Sequence, residues 1–220
     1  MEEIIQFILY FHVFSGGVAL LSGIGAIATK KGHKKHKLSG NIYFWAMLSV
    51  ITTALFVGFY RNNIFLQTVA VFSFYMAFTG KRALRYKKEI CPEPIDWTVN
   101  LIALSVAIFM IYLAIVNALK IGFRGVVPVL FVFGGILLAM ALQDIVKLRK
   151  RNFIKNKWLL THIGRMGGSF IATTTAFLLT NIHFNPGWVV WLAPTLLGTP
   201  IIIYSIRKWR IKMSPKKVIQ

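Results

Sequence analysis

The chain has 220 residues, 56 % of them hydrophobic, and a mean hydropathy of +0.65. That is too apolar for an ordinary soluble domain and leaves room for one bundle of membrane-spanning helices. The formal charge of +20 does not mark a nucleic-acid binder, because a polyanion needs a basic face on a water-exposed fold and here the cations punctuate apolar runs.

A spanning helix needs roughly 20 apolar residues to cross ~30 Å of hydrocarbon. Seven stretches reach or approach that length: 4–28, 38–60, 64–80, 97–119, 126–146, 158–180 and 188–206. They predict an all-α integral membrane bundle of seven transmembrane helices forming a single domain. Met1-Glu2-Glu3 is acidic where a signal peptide starts basic, so the first stretch is read as a retained span although Ala26-Ile27-Ala28 mimics a cleavage site. The third stretch is the shortest. Between the third and fourth lies a connector, Glu89 to Asp96, whose Pro92 and Pro94 oppose helix continuation. Its Cys91 is the only cysteine, which excludes an internal disulfide and a thiolate-rich metal cluster.

Twenty-two of the 26 basic residues fall after the first, third and fifth spans and in the tail. The intervening gaps hold only Arg61, Lys120 and Arg124, and Arg165 lies inside a span. The positive-inside rule then predicts an external N-terminus, a cytoplasmic C-terminus and an odd number of crossings, with the basic loops against anionic lipids on the cytoplasmic face. Trp97, Trp158, Trp188 and Trp209 fall at span ends, where amphipathic rings mark the headgroup layer. A faint repeat relates Phe14-Ser15-Gly16-Gly17 to Val132-Phe133-Gly134-Gly135. Each segment is followed by a basic loop and then by a histidine, His36 or His162, which suggests two three-helix halves linked by the fourth span.

In the first span His12, Ser15, Gly16, Ala19, Ser22, Gly23 and Ala26 share a face at three- and four-residue steps. Small residues of this kind form helix-packing seams, whereas an ionisable ring such as His12 within the bilayer needs a partner, a cavity or a cofactor. In the sixth span His162, Arg165, Ser169, Thr173, Ala176 and Thr180 make a polar stripe that must face the bundle interior. Arg165 there needs a counter-charge, and Asp144 is the only acidic residue within a span. His33 and His36 are three apart but flanked by lysines that repel a cation, so no metal site is read there. His36, by its step to Gly40, Tyr43 and Met47, lies at the foot of the inward face of the second span, about two residues outside it. His183 is expected to be solvated in an outer loop.

These residues define a polar centre on spans one, two and six, built from His12, His36, His162, Arg165 and Asp144. A haem-linked electron-transfer reading takes His36 and His162 as iron ligands, with Arg165 neutralising a propionate. A nominal depth offset of ~9 Å between the two histidines counts against it. A transport reading uses the polar stripe and His12 as a path for a small solute or a proton. An assembly subunit, in which every polar group is structural, is the third class.

The stretch His12-x-x-x-Gly16, Leu20-Leu21-Ser22-Gly23, Lys31-Gly32 and His36-x-x-x-Gly40 resembles a family of bacterial multi-spanning membrane proteins of unassigned function. The segment His162-Ile163-Gly164-Arg165-Met166, continuing through Ile171 to Phe177, is similar to that family's second signature. Together they cover under half of the chain. The resemblance implies a multi-helix protein of the bacterial cytoplasmic membrane and singles out the same histidines. His162 followed by Gly164 and Arg165 also bears a distant likeness to two-haem cytochromes of the b561 type, which implies haem b as a cofactor; a clear second pair of depth-matched histidines is missing from this chain.

Overall fold

The computed structural model describes residues 2–151, 153–182 and 184–213; His183, Lys216 and Lys217 lie outside them. Seven α-helices follow one another: α1 Glu2–Ala28, α2 Lys34–Tyr60, α3 Ile64–Arg82, α4 Pro94–Ile121, α5 Val127–Lys150, α6 Lys157–Asn181 and α7 Trp188–Met213. A 3-10 turn, Ala83–Arg85, prolongs α3. Six of the seven are long and apolar enough to cross a membrane, α6 being the exception. Large apolar side chains such as Phe7, Leu21, Leu119 and Ile211 stand 72 %, 72 %, 83 % and 75 % exposed. Water does not tolerate apolar surface on that scale, whereas lipid does, and the chain is a multi-pass membrane protein.

The helix ends follow local chemistry. Gly32 and Gly122 take positive φ values of 81° and 72° where the chain leaves α1 and α4, conformations in which a Cβ would be strained. The Asn63 side chain caps α3 by accepting the Leu66 N–H at 3.1 Å. Glu93 and Asp96 form a reciprocal capping box around Pro94 at the start of α4. Several helices overrun the apolar stretches that nucleate them: α2 begins at Lys34, α5 ends at Lys150 and α7 reaches Met213, passing through Pro194 and Pro200. Long cationic side chains reach the headgroups while their backbone stays helical, and cations near a helix C-terminus complement its dipole.

Hairpins α1/α2, α4/α5 and α6/α7 are arranged around α3, which packs on α2, α4 and α6 and touches α5. Helices α3, α4 and α5 share one core, where Phe72 stacks on Phe133 at 4.8 Å and Ala103, Ala107 and Ala114 are fully buried. Their close approach depends on Gly134, where an added Cβ would sit 3.1 Å from the Met110 Cβ. A second core joins Ala19, Tyr43, Met47, Ile51 and Ala70, with Phe170 of α6 lying against Gly23 of α1. The packing does not follow the sequence repeat. Helix α4 is the partner of α5 in a hairpin rather than a linker between halves, and α5 does not pack on α6 as α1 packs on α2.

The most polar helix, α6, lies among α1, α3 and α7 with Arg165, Ser169, Thr173 and Thr175 buried. Its polarity is therefore turned inward, which is the only direction that lipid permits.

Candidate functional site

The expected centre on three helices resolves into three separate clusters, two of which depend on α3. The first is at His12, whose Nδ1 lies 3.1 Å from the Val50 carbonyl and 2.8 Å from Thr53 Oγ1, both on α2. Thr53 donates its own proton to carbonyls of its helix, so its oxygen accepts. His12 thus pins α1 to α2 and does not meet His36 or His162.

The second cluster holds His36 and His162. His36 Nδ1 is 2.9 Å from the Ala26 carbonyl in the last turn of α1, and His162 Nδ1 is 2.8 Å from the Gly80 carbonyl near the end of α3. A carbonyl only accepts, so each Nδ1 carries a proton, and the neutral tautomer with this bond keeps its lone pair on Nε2. Both histidines therefore supply donors to the last-turn carbonyls of a neighbouring helix. Lys31 reinforces the first of these ends by donating to the Ala26 and Ile27 carbonyls at 2.9 and 2.6 Å.

The register between the two rings corrects the expected depth offset. His36 is the third residue of α2 rather than a loop residue, because the helix begins at Lys34. Further along, Tyr43 Oη meets Ser169 Oγ at 2.8 Å and Thr173 Oγ1 at 3.1 Å. His36 precedes Tyr43 by seven residues and His162 precedes Ser169 by seven. The two rings thus sit at matched depth, each about two turns or ~10 Å from the same crossing point. They are also electrostatic neighbours, together with Lys81. The backbones of α2 and α6 do not touch; Tyr43 and Met47 bridge the space between them.

The third cluster is the expected Asp144 to Arg165 pair, extended by two residues that the sequence did not single out. Arg165 Nη2 donates to Asp144 Oδ2 at 2.9 Å and to the Met140 carbonyl at 3.3 Å. Tyr75 Oη donates to the same carboxylate oxygen at 2.6 Å and accepts from Asn100 Nδ2 at 2.8 Å. The Arg165 guanidinium also lies over the Tyr75 ring, 5.3 Å from its centroid. All four residues are buried, so the pair is held in a low-dielectric interior, where the Tyr75 hydroxyl shares the Asp144 oxygen and Arg165 Nη1 is left without a hydrogen-bond partner. Arg165 thereby engages Asp144 through Nη2 alone.

A cleft enclosing about 300 Å³ of empty space, part of it open to solvent, runs from Tyr75, Asn100 and Asp144 to Arg82, Tyr86 and Asp96. Asn100 Oδ1 is buried there without a hydrogen-bond partner, the kind of group that an ordered water satisfies. At the cleft's other end Arg82 grips Asp96 with two donors at 2.7 and 2.5 Å and reaches Glu93 at 3.2 Å. This fork closes the junction of α3 and α4, and burial raises the Tyr86 hydroxyl pKa beside it. Neither ion cluster touches His36 or His162.

Among the described residues no group of three or more His, Cys, Asp or Glu side chains is placed to hold a metal ion. Nε2 of each ring, in its neutral form, is the kind of donor that a haem iron would take. Lys81 of α3, bonded to Asn41 Oδ1 and standing over the Phe44 ring, is a cation beside the pair. Comparison of the chain with family models, with curated protein sequences and with solved structures finds no match in any of the three.

Proposed function

We propose that the chain crosses a bacterial cytoplasmic membrane seven times, with its N-terminus outside, and carries electrons through a haem b held by His36 and His162. The matched register of the two rings across α2 and α6, fixed by the Tyr43 to Ser169 contact, carries this reading. The bond from each Nδ1–H to a helix-end carbonyl supports it, because such a bond orients the ring and makes Nε2 the more basic nitrogen. The likeness to b561-type cytochromes points the same way. Bound there, a haem supplies a one-electron couple. The protein's own contribution is to hold the two rings on the ends of packed helices and to place Lys81 nearby.

Asparagine separates the two duties of each ring, since its amide can donate as Nδ1 does but offers nothing at the Nε2 position. Purified protein expressed with ample haem should show a Soret band, and His36→Asn and His162→Asn should each abolish it while eluting as folded protein. A wild-type spectrum without that band sinks the reading.

A second reading, transport of a small solute or a proton, rests on a different observation: the buried Arg165–Asp144–Tyr75–Asn100 network borders a cleft containing an unpartnered acceptor. In that case Asn100→Ala should slow proton-driven uptake into vesicles and leave the Soret band alone.

A further inference from the structure

A second cleft, unconnected with the histidines, opens where α5 ends and α6 begins and encloses about 270 Å³ of empty space, part of it open to solvent. Its lining is divided by chemistry. Lys147 and Lys157 contribute two ammonium groups, Phe153, Ile154 and Trp158 make an apolar wall, and no carboxylate is among its described lining residues, although Lys147 also borders the first cleft, where Asp96 and Asp144 lie. The last turn of α5 adds Arg149 and Lys150, the segment after it adds Arg151 and Lys155, and no acidic residue occurs from Ile145 to Lys157. The N-terminus of α6 opens onto the same place with no acidic residue in its first turn and no side-chain cap, so its dipole adds positive potential. Lys87 stands over the Trp158 ring at 5.0 Å, a further cation on the same wall.

Phe153 and Ile154 are 39 % and 50 % exposed within this cationic stretch. A soluble anion has no use for them. An acyl chain does, and a tryptophan such as Trp158 favours the layer where headgroup and hydrocarbon meet.

We propose that this cleft binds the headgroup of an anionic phospholipid, with the phosphate held by Lys147, Lys157 and the α6 N-terminus and the first part of an acyl chain laid along Phe153, Ile154 and Trp158. The ligand chemistry is a phosphate diester carrying one negative charge, and the apolar wall selects a lipid over free phosphate. The general attraction of basic loops to anionic membranes is diffuse; this site is local, with Phe153, Ile154, Lys157 and Trp158 on its wall and only Tyr86 and Lys147 shared with the first cleft.

Native mass spectrometry of the detergent-purified protein tests it, with phosphatidylglycerol, acyl-matched phosphatidylcholine and inorganic phosphate as probes. One phosphatidylglycerol should be retained per chain in preference to phosphatidylcholine. The surface variant Lys157→Gln should weaken retention about fivefold, the effect of one ammonium near an anionic headgroup. The double variant Lys34→Gln, Lys35→Gln, which removes two charges from the start of α2, should change it less than about twofold at that scale. Phe153→Ser, which keeps every charge, should also weaken it. Equal losses from the α2 variant would reduce the effect to diffuse electrostatics, equal retention of the two lipids would remove the phosphate, and displacement by millimolar inorganic phosphate would make the site one for a soluble anion. Each of these overturns the proposal.

Discussion

Asp144→Asn isolates the charge of the buried pair. Asparagine keeps the volume and still accepts the Tyr75 hydroxyl, so the change removes chiefly the neutralisation of Arg165, which is 7 % exposed and 2.9 Å from the carboxylate. An uncompensated buried charge costs about 3–5 kcal/mol, and Arg165 has no other acid within reach because Asp144 alone among the acidic residues lies deep in a helix of the bundle. The expected loss is about 3 kcal/mol, the lower end, since the Met140 carbonyl remains as an acceptor for Nη2. Arg165→Met should cost a similar amount by removing the carboxylate's ion-pair partner. Combined, the two substitutions remove both charges and keep the Tyr75 bond, so the double variant should lie within about 1 kcal/mol of the wild type rather than at the additive ~6 kcal/mol. Equilibrium unfolding in mixed micelles with increasing dodecyl sulfate, followed by tryptophan fluorescence, gives all four free energies. A single variant within about 1 kcal/mol of the wild type, or an additive double, would refute the account of this pair.

Neighbouring glycines in α5 offer a paired test of packing. Gly134→Val should cost about 1–3 kcal/mol by driving into Met110 and Ile111 of α4, whereas Gly135→Ala meets nothing within 4 Å and should be neutral or stabilising by up to ~1 kcal/mol; the same unfolding assay reads both. Cys91 is exposed, and its thiol pKa is raised chiefly by its hydrogen bond to the Glu89 carboxylate. Less thiolate is then present near neutrality, so alkylation by iodoacetamide should be slow at pH 7.5, accelerate as the pH rises, and speed up at fixed pH in Glu89→Gln. The same thiol reports orientation: a membrane-impermeant maleimide should leave Cys91 unmodified in intact cells and label it after lysis, and labelling in intact cells would reverse the proposed topology.

The seven helices were legible because each is seeded by its own apolar run between turn or charge signals. Their ends were not, because lysines and arginines continue a helix into the headgroup layer as readily as they end it. That is why His36 reads as a loop residue in the sequence and lies inside α2 in the structure. The Asp144 to Arg165 pair was legible for a simple reason, namely that two opposite charges in apolar surroundings have few alternatives. Tyr75 and Asn100 were hidden, since a tyrosine or an asparagine within an apolar helix carries no mark of its partner. The carbonyls that hold His12, His36 and His162 were equally invisible: a backbone acceptor has no sequence signature. Adjacency along the chain also says little about which helix occupies the middle, and the central position of α3 emerges only from packing.

The role of α6 has a consequence for how the molecule is made. This helix brings Arg165 to Asp144, Ser169 and Thr173 to Tyr43, Phe170 to Gly23 and His162 to the end of α3, yet it follows five of the helices it joins and is the one whose length and apolarity do not mark it as a span. Until it arrives, the earlier helices hold an acid without a counter-ion and an open groove where α6 will lie. Docking of α6 therefore rests on these waiting partners, and a chain cut before residue 157 would leave Asp144 without its counter-ion and Tyr43 without its two hydroxyl neighbours.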